Sequence, residues 1–255
     1  MRIHELPTFK EIEENKDALT KACIALYGCS EKNISFVEVD TSFSYPGSVN
    51  RANVLFSDNA TNSFYFKDVY EKAWVASEAC GMALANLLFK PYYNFAVSIS
   101  NEIVVSQEIP GKRISDISYD EWDDESTRNY GKAFQIASSL GLPDRHNWNV
   151  IFTPFKDIIN IDLGDTFEVN PGSENLYNGS LRDYLPAPQN KNVFNQGREE
   201  AKEIIRRNFK DKRELAEAII YEALKQSDFP ERIKGSSYEK AKCLIGEITS
   251  HLGVE

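Results

Sequence analysis

The stretch Asp144-Arg145-His146-Asn147-Trp148-Asn149, followed by Asn160-Ile161-Asp162-Leu163-Gly164, decides how the rest of the chain is interpreted. Asp144 precedes the amide of Asn149 by five residues, and a second acid, Asp162, comes after a gap long enough for a hairpin. Side-chain oxygens of this kind are the ligands that Mg²⁺ prefers, and an adjacent acid can orient or deprotonate a hydroxyl. The order predicts a metal-dependent site.

The same order matches a phosphoryl-transfer centre, which uses a catalytic-loop acid, a metal-binding asparagine and a downstream aspartate. Asp-Arg-His-x-x-Asn followed by Ile-Asp-x-Gly resembles the phosphatidylinositol 3-/4-kinase superfamily, rather than the His-Arg-Asp and Asp-Phe-Gly of ordinary protein kinases. Small bacterial kinases related to the HipA group carry a similar reduced core, and a chain of 255 residues suits their size. The strong similarity covers about residues 141–172.

The resemblance implies an α+β, bilobal, protein-kinase-like fold. Residues 1–110 would form a β-rich N-lobe with an extra N-terminal helix, and residues 111–255 a mainly helical C-lobe with the catalytic loop and the metal-binding segment. Hydrophobic periodicity and turn residues predict the elements independently. The predicted helices are 8–27, 70–89, 119–140, 198–209, 213–226 and 238–252; the predicted strands are 35–39, 52–56, 63–66, 95–99, 102–107, 149–152 and 158–161; residues 172–196 are predicted to be loop.

Glu78 stands in a helical segment that is apolar on nearly every side, so the segment is predicted to be buried. A buried carboxylate needs a partner, because leaving it unpaired costs much desolvation energy. The resemblance implies that Lys67, at the end of the third strand, contacts ATP phosphates and pairs with Glu78. Glu71 is a second candidate partner, although it lies in the first turn, where an acid also favours the helix dipole.

Two further segments are predicted to bind ATP. The resemblance places the loop at residues 42–50 over the phosphates, where Ser44 and Ser48 would offer donors, although an ordinary hairpin loop explains its composition equally well. Glu108 and Ile109 fall where the hinge between lobes is expected, and they would contact adenine mainly through backbone groups.

The resemblance also distributes the catalytic roles. Asp144 is the first candidate to orient or deprotonate the acceptor hydroxyl, and His146 is the second, since the family carries a histidine in this triplet; the sequence does not divide the work between them. Asn149 and Asp162 are predicted to ligate Mg²⁺.

Composition restricts the partners. The formal net charge is −10, which argues against nucleic acid and weighs modestly against anionic lipid. The four cysteines form no CxxC pair and have no histidine at metal-ligand spacing, so free thiols are expected. The apolar run at residues 73–89 is too short and too interrupted for a transmembrane segment. The beginning of the chain does not resemble a signal peptide, so a cytoplasmic location is expected, or secretion into a host cell by a leaderless route.

Four functions are consistent with these residues. The favoured one is an ATP- and Mg²⁺-dependent kinase that transfers the γ-phosphoryl group to a Ser or Thr hydroxyl of a protein substrate. The alternatives are a phosphoinositide lipid kinase, a nucleotide-binding pseudokinase that acts as a scaffold, and a transferase that moves AMP.

Overall fold

A computed structural model describes residues 20, 24, 30, 34–39, 49–56, 61–68, 72–88, 97–100, 103–142, 149–161, 190–225 and 231–252. The elements are the strands β1 (Ile34–Val39), β2 (Val49–Phe56), β3 (Thr61–Asp68), β4 (Val97–Ser100), β5 (Ile103–Gln107), β6 (Lys112–Arg113), β7 (Val150–Phe152) and β8 (Ile158–Asn160), and the helices α1 (Lys72–Leu88), α2 (Asp124–Ser139), α3 (Lys191–Phe209), α4 (Arg213–Lys225) and α5 (Glu231–Leu252).

The first sheet has five strands in the order β1-β2-β3-β5-β4, and every neighbouring pair is antiparallel. Lys67 near the end of β3 lies opposite Val49 of β2 and Val104 of β5. The strands predicted in this part of the chain are confirmed, with β2 beginning at Val49, earlier than expected. Of the predicted helix at residues 8–27, the structure describes Thr20 and Ile24, and both are helical.

The helix α1 connects β3 to the strand β4 and is covered on several sides. It packs on β4 and β5 and also on α3, α4 and α5. Ala76, Cys80, Leu84 and Leu88 are fully buried at helical spacing, while Glu78 is 6% exposed. The apolar composition of this segment follows from that position, because a helix enclosed by sheet and helices has little surface left for water.

The main core cluster joins α1 to the carboxyl-terminal ends of α2 and α3 and to α4 and α5. Leu84 and Leu88 of α1 share this cluster with Phe209, Ile220 and Ile245. The cluster therefore takes residues from both sides of position 110. The structure is α+β, and its division into two lobes at residue 110 stays a prediction.

A second cluster lies under the small sheet β6-β7-β8. Val150, Phe152 and Ile158 of the β7–β8 hairpin pack there on Tyr130 of α2 and Phe194 of α3. The ring centroids of Tyr130 and Phe194 are 5.4 Å apart in an edge-to-face arrangement, the geometry that aromatic quadrupoles favour. The predicted hairpin is confirmed, and β6 extends it into a third strand that the sequence did not indicate.

The helices α2 and α3 cross unusually closely at two glycines. A Cβ atom at Gly131 would lie 2.0 Å from the Phe194 carbonyl oxygen, and one at Gly197 would lie 1.9 Å from the Arg128 carbonyl oxygen. Both distances are far below van der Waals contact, so only glycine allows the two backbones to approach in this way. An ion pair between Lys132 and Glu200, 3.0 Å apart, also joins the two helices.

Several element boundaries differ from the sequence prediction for local reasons. The helix α2 begins at Asp124, because the Asp123 carboxylate accepts a hydrogen bond from the Ser126 backbone N–H at 2.9 Å and caps the helix. The helix α3 begins at Lys191, so residues 191–196 are not loop as predicted; the Asn190 side chain caps this end. The helix α5 begins at Glu231, before the predicted residue 238.

Within the described ranges, the helices lack the combination of length and apolar character that is needed to cross a bilayer. The described cysteines are both free thiols, Cys80 buried and Cys243 exposed.

We predict that Gly131→Ala destabilises the fold by about 1–3 kcal/mol or more, because the added methyl group meets a backbone oxygen that cannot turn away. Gly246→Ala on α5 is the matched control, since a Cβ built there has no neighbour within 4 Å apart from nearby atoms of its own helix. That variant should be neutral or gain up to about 1 kcal/mol from its better helix propensity. Denaturant unfolding of the two variants beside the unmutated chain measures both changes. Equal effects at the two positions would contradict the close crossing.

Candidate active site

The β7–β8 hairpin brings Asn149, the last residue of the first motif segment, close to Asn160 and Ile161 of the second. Val150 lies opposite Asn160 in the ladder, and the Ile161 backbone N–H donates to the Asn149 carbonyl at 2.9 Å. Asn149 is 6% exposed. One predicted metal ligand is thus hydrogen-bonded to the residue that precedes the other, Asp162, which itself lies outside the described residues.

Two asparagines fasten this hairpin to α2. The Asn160 Nδ2 donates to the Ala133 carbonyl at 2.9 Å, at the open end of the hairpin. The Asn129 Nδ2 donates to the Lys156 carbonyl at 3.0 Å, at its turn. Because the hairpin is held at both ends, its position is tied to a rigid helix, as a precise site requires.

The turn of the hairpin has its own polar contacts. The Thr153 hydroxyl oxygen accepts the Asp157 backbone N–H at 3.1 Å, and Lys156 adopts a left-handed conformation with φ 64°. The Lys156 ammonium pairs with Asp123 at the start of α2. That hydrogen bond, together with one from the Ser126 backbone, holds the pKa of Asp123 well below its usual range. Burial raises the pKa of Asp157, against the opposing charge of Lys132.

The predicted hinge is the connection between the two sheets. Glu108 follows β5 of the large sheet, and Gly111 precedes β6 of the small one. The Tyr65 hydroxyl donates to Glu108 Oε1 at 3.2 Å, which ties this connection back to β3. A Cβ at Gly111 would lie 2.5 Å from the Phe152 carbonyl oxygen, so the connection passes close to the hairpin. Ile109 is half-buried between these points.

The predicted burial of Glu78 is confirmed. It lies near the middle of α1, between Ser77 and Cys80, which are also buried. The backbone of Lys67 is in β3, at the strand position that was predicted, but its side chain is not among the described ones. The pairing of Lys67 with Glu78 stays a prediction.

Five of the predicted site residues lie outside the described part of the chain. They are the catalytic candidates Asp144 and His146, the metal ligand Asp162, and the phosphate-loop serines Ser44 and Ser48. Among the residues that are described, no group of three histidine, cysteine or acidic side chains could hold a metal ion. The predicted metal ligands were a different set, an amide and a carboxylate, and both supply the oxygen atoms that suit Mg²⁺.

Sequence reasoning gave no role to Asn129, Asn160 or Tyr65, which support the site. Asn160 had a visible signal, because it is a polar residue that follows two isoleucines in a predicted strand, and a buried polar side chain needs a hydrogen-bond partner. Tyr65 and Asn129 gave no such signal, since tyrosine is common in strands and asparagine is usually exposed.

Comparisons with known proteins give a structural likeness only. No known family matches the sequence, and no curated protein is similar to it. Among solved structures, the crystal structure of a Helicobacter pylori proinflammatory kinase, CtkA, matches with a TM-score of 0.51 over 86% of this chain and 95% of that one. The sequences are 15% identical. At that identity the likeness shows a kinase-like fold.

We predict that Asn160→Leu, which keeps the size of the side chain but removes its donor, lowers the free energy of unfolding by about 1–3 kcal/mol. It should also speed hydrogen exchange at the Ile161 amide, because the open end of the hairpin loses its hydrogen bond to α2. Denaturant unfolding and amide exchange measure the two effects. Asn195→Leu, at an exposed position of α3, is the control and should change neither. Unchanged exchange at Ile161 in Asn160→Leu would contradict the anchoring role.

Proposed function

We propose that this protein is an ATP- and Mg²⁺-dependent kinase that transfers the γ-phosphoryl group to a Ser or Thr hydroxyl of a protein. The observation that carries the proposal is the hydrogen bond of 2.9 Å from the Ile161 backbone N–H to the Asn149 carbonyl, which joins one residue of each motif segment at the open end of the hairpin. The kinase-like fold supports it, since the structural neighbour CtkA is a kinase. In this proposal residues 1–110 and 111–255 act as two lobes.

Asn149 and Asp162 would hold Mg²⁺ through their side-chain oxygens. When bound, the ion would neutralise charge on the phosphates. The chain's contribution is to hold the Asn149 segment still: this segment is buried, and the hairpin that follows it is anchored to α2 through Asn129 and Asn160.

Lys67 and Glu78 would form the ion pair that orients the phosphates. Burial of Glu78 favours this assignment, because a carboxylate away from water is stable in its charged form only when a cation or donors face it. Lys67 is the penultimate residue of β3, the strand that precedes α1, which makes it the proposed partner. Ser44 and Ser48 would add donors to the phosphates.

The remaining assignments concern the acceptor hydroxyl and the adenine ring of ATP. Asp144, with His146 as the second candidate, would orient the acceptor hydroxyl and take its proton. Glu108 and Ile109 would contact adenine through their backbone groups, on a connection that Tyr65 ties to the sheet.

A protein acceptor is favoured over a lipid for electrostatic reasons. The net charge is −10, and an anionic membrane would repel such a chain. The segment after Asp162 is also poor in cations for an inositol phosphate, since Arg182 and Lys191 are the first two.

The test incubates the purified chain with ATP labelled at the γ-phosphate, Mg²⁺, a mixed protein extract and phosphoinositide vesicles, with a parallel reaction labelled at the α-phosphate. We expect γ-label in protein, falling to background in Asp162→Ala and unchanged in Asp120→Ala, an exposed position outside the site. γ-Label in the vesicle lipid would show that the acceptor is a lipid and not a protein. Protein labelled from the α-phosphate alone would mean AMP transfer, and nucleotide binding with no transfer would mean a scaffold.

We also predict that Tyr65→Phe raises the KM for ATP by about two- to tenfold, the value of one partly buried hydrogen bond, with kcat changed less than twofold. The reason is that the Tyr65 hydroxyl holds the connection that would contact adenine. Adenine is far from the phosphoryl group that is transferred, so the chemical step should change little. Steady-state kinetics at varied ATP measure this. Tyr221→Phe, on a side chain that is 54% exposed, is the control. An unchanged KM in Tyr65→Phe would contradict the proposal that the connection at Glu108 binds ATP.

A further inference from the structure

Asn208 near the end of α3 reaches a distant part of the chain. Its Nδ2 donates to the carbonyl of Leu88, 120 residues earlier, at 2.9 Å. Leu88 is the last residue of α1 and is fully buried. The last four carbonyls of a helix have no partner within the helix, so a buried helix end of this kind depends on a donor from elsewhere. Asn208 supplies that donor.

The helices α3, α4 and α5, which we call the C-terminal brace, also contact α1 along its length. Ala76 and Cys80 near the start of α1 belong to the same core cluster as Leu88 at its end, together with residues of all three brace helices. The sheet side of α1 rests on β4 and β5. The helix that carries Glu78 is thus held between the sheet and the brace.

We propose that Asn208 is a positioning residue for Glu78, acting by fixing the end of α1 on the C-terminal brace. The inference rests on the proposed function, in which Glu78 orients Lys67. In kinases the placement of the corresponding helix decides whether the lysine–glutamate pair forms. In this chain the C-terminal brace holds that helix, through the core cluster and the Asn208 hydrogen bond.

The distance between the two residues is compatible with mechanical coupling. Glu78 and Leu88 are ten residues apart on one continuous helix, which corresponds to about 15 Å along the axis. A helix of this length moves nearly as a rod, so freedom at the Leu88 end becomes displacement at Glu78. Displacements on the order of 1 Å at a positioning group are enough to lower a catalytic rate substantially.

The test uses Asn208→Asp and Asn208→Leu, with Asn195→Leu on the same helix as the control for exposed substitution. Aspartate keeps the shape of asparagine, but it has no N–H to donate and at neutral pH its charge repels the Leu88 carbonyl, so it breaks the bond with little change in side-chain volume. Leucine removes the donor without adding a charge. Thermal melts establish which variants are folded at the assay temperature. If Asn208→Leu is unfolded, Asn208→Asp carries the measurement.

The first readout does not depend on activity. Cys80 lies on α1 two residues after Glu78 and is fully buried, and burial raises the pKa of its thiol to about 12. Its alkylation therefore reports opening of α1 from its surroundings. We expect iodoacetamide to label Cys80 on the order of tenfold faster in Asn208→Asp and at the unmutated rate in Asn195→Leu. Peptide mass spectrometry separates Cys80 from the exposed Cys243, whose labelling should be the same in all variants.

The second readout is the kinetics of the folded variants. A positioning defect should lower kcat on the order of tenfold and change the KM for ATP less than twofold, whereas simple loss of folded protein would show in the melts. Unchanged Cys80 labelling in Asn208→Asp overturns the inference, and so does faster labelling with an unchanged kcat. If the unmutated chain transfers no phosphoryl group, the proposed function fails by itself, and faster Cys80 labelling still supports the hold of Asn208 on α1.

Discussion

The close crossing of α2 and α3 is the constraint on which the rest of the described structure depends. With Cβ positions only 2.0 and 1.9 Å from opposing carbonyl oxygens, Gly131 and Gly197 bring two backbones into contact where larger residues would hold them apart. The crossing lies beside Phe194, so it fixes how the aromatic ring meets Tyr130 and Phe134. Dense packing of this kind transmits small displacements rather than absorbing them.

The helix pair contacts the β7–β8 hairpin through its amino-terminal half and α1 through its carboxyl-terminal half. The amino-terminal half of the pair holds the β7–β8 hairpin, through Asn129 and the aromatic cluster. Its carboxyl-terminal half enters the main core and contacts α1, with Asn208 bonded to Leu88. Asn149 and Glu78, which in the proposed function would both act at the ATP phosphates, therefore lie on elements that pack on the same helix pair, although they are far apart in sequence.

The supporting contacts are hydrogen bonds from side-chain amides to backbone carbonyls. Asn129, Asn160 and Asn208 each donate from Nδ2 to a carbonyl of another element, at 2.9 to 3.0 Å. Such bonds are specific in direction, and a buried carbonyl that loses its donor carries a desolvation penalty. They fix the relative positions of elements, whereas the apolar clusters provide most of the stabilising free energy.

The sequence by itself determined most of the helices and strands, whereas the chemistry of its motif stays a prediction. Alternation of apolar residues predicted the strands and the hairpin, and the apolar surroundings of Glu78 predicted its burial, because both patterns are local consequences of which face meets water. The roles of Asp144, His146 and Asp162, and of Ser44 and Ser48, stay predictions from the sequence. Only the tertiary structure decided that Asn208 meets Leu88, that Tyr65 meets Glu108, and that α2 crosses α3 at two glycines. These contacts join residues far apart in the chain, and no local periodicity records which distant backbone a side chain will reach.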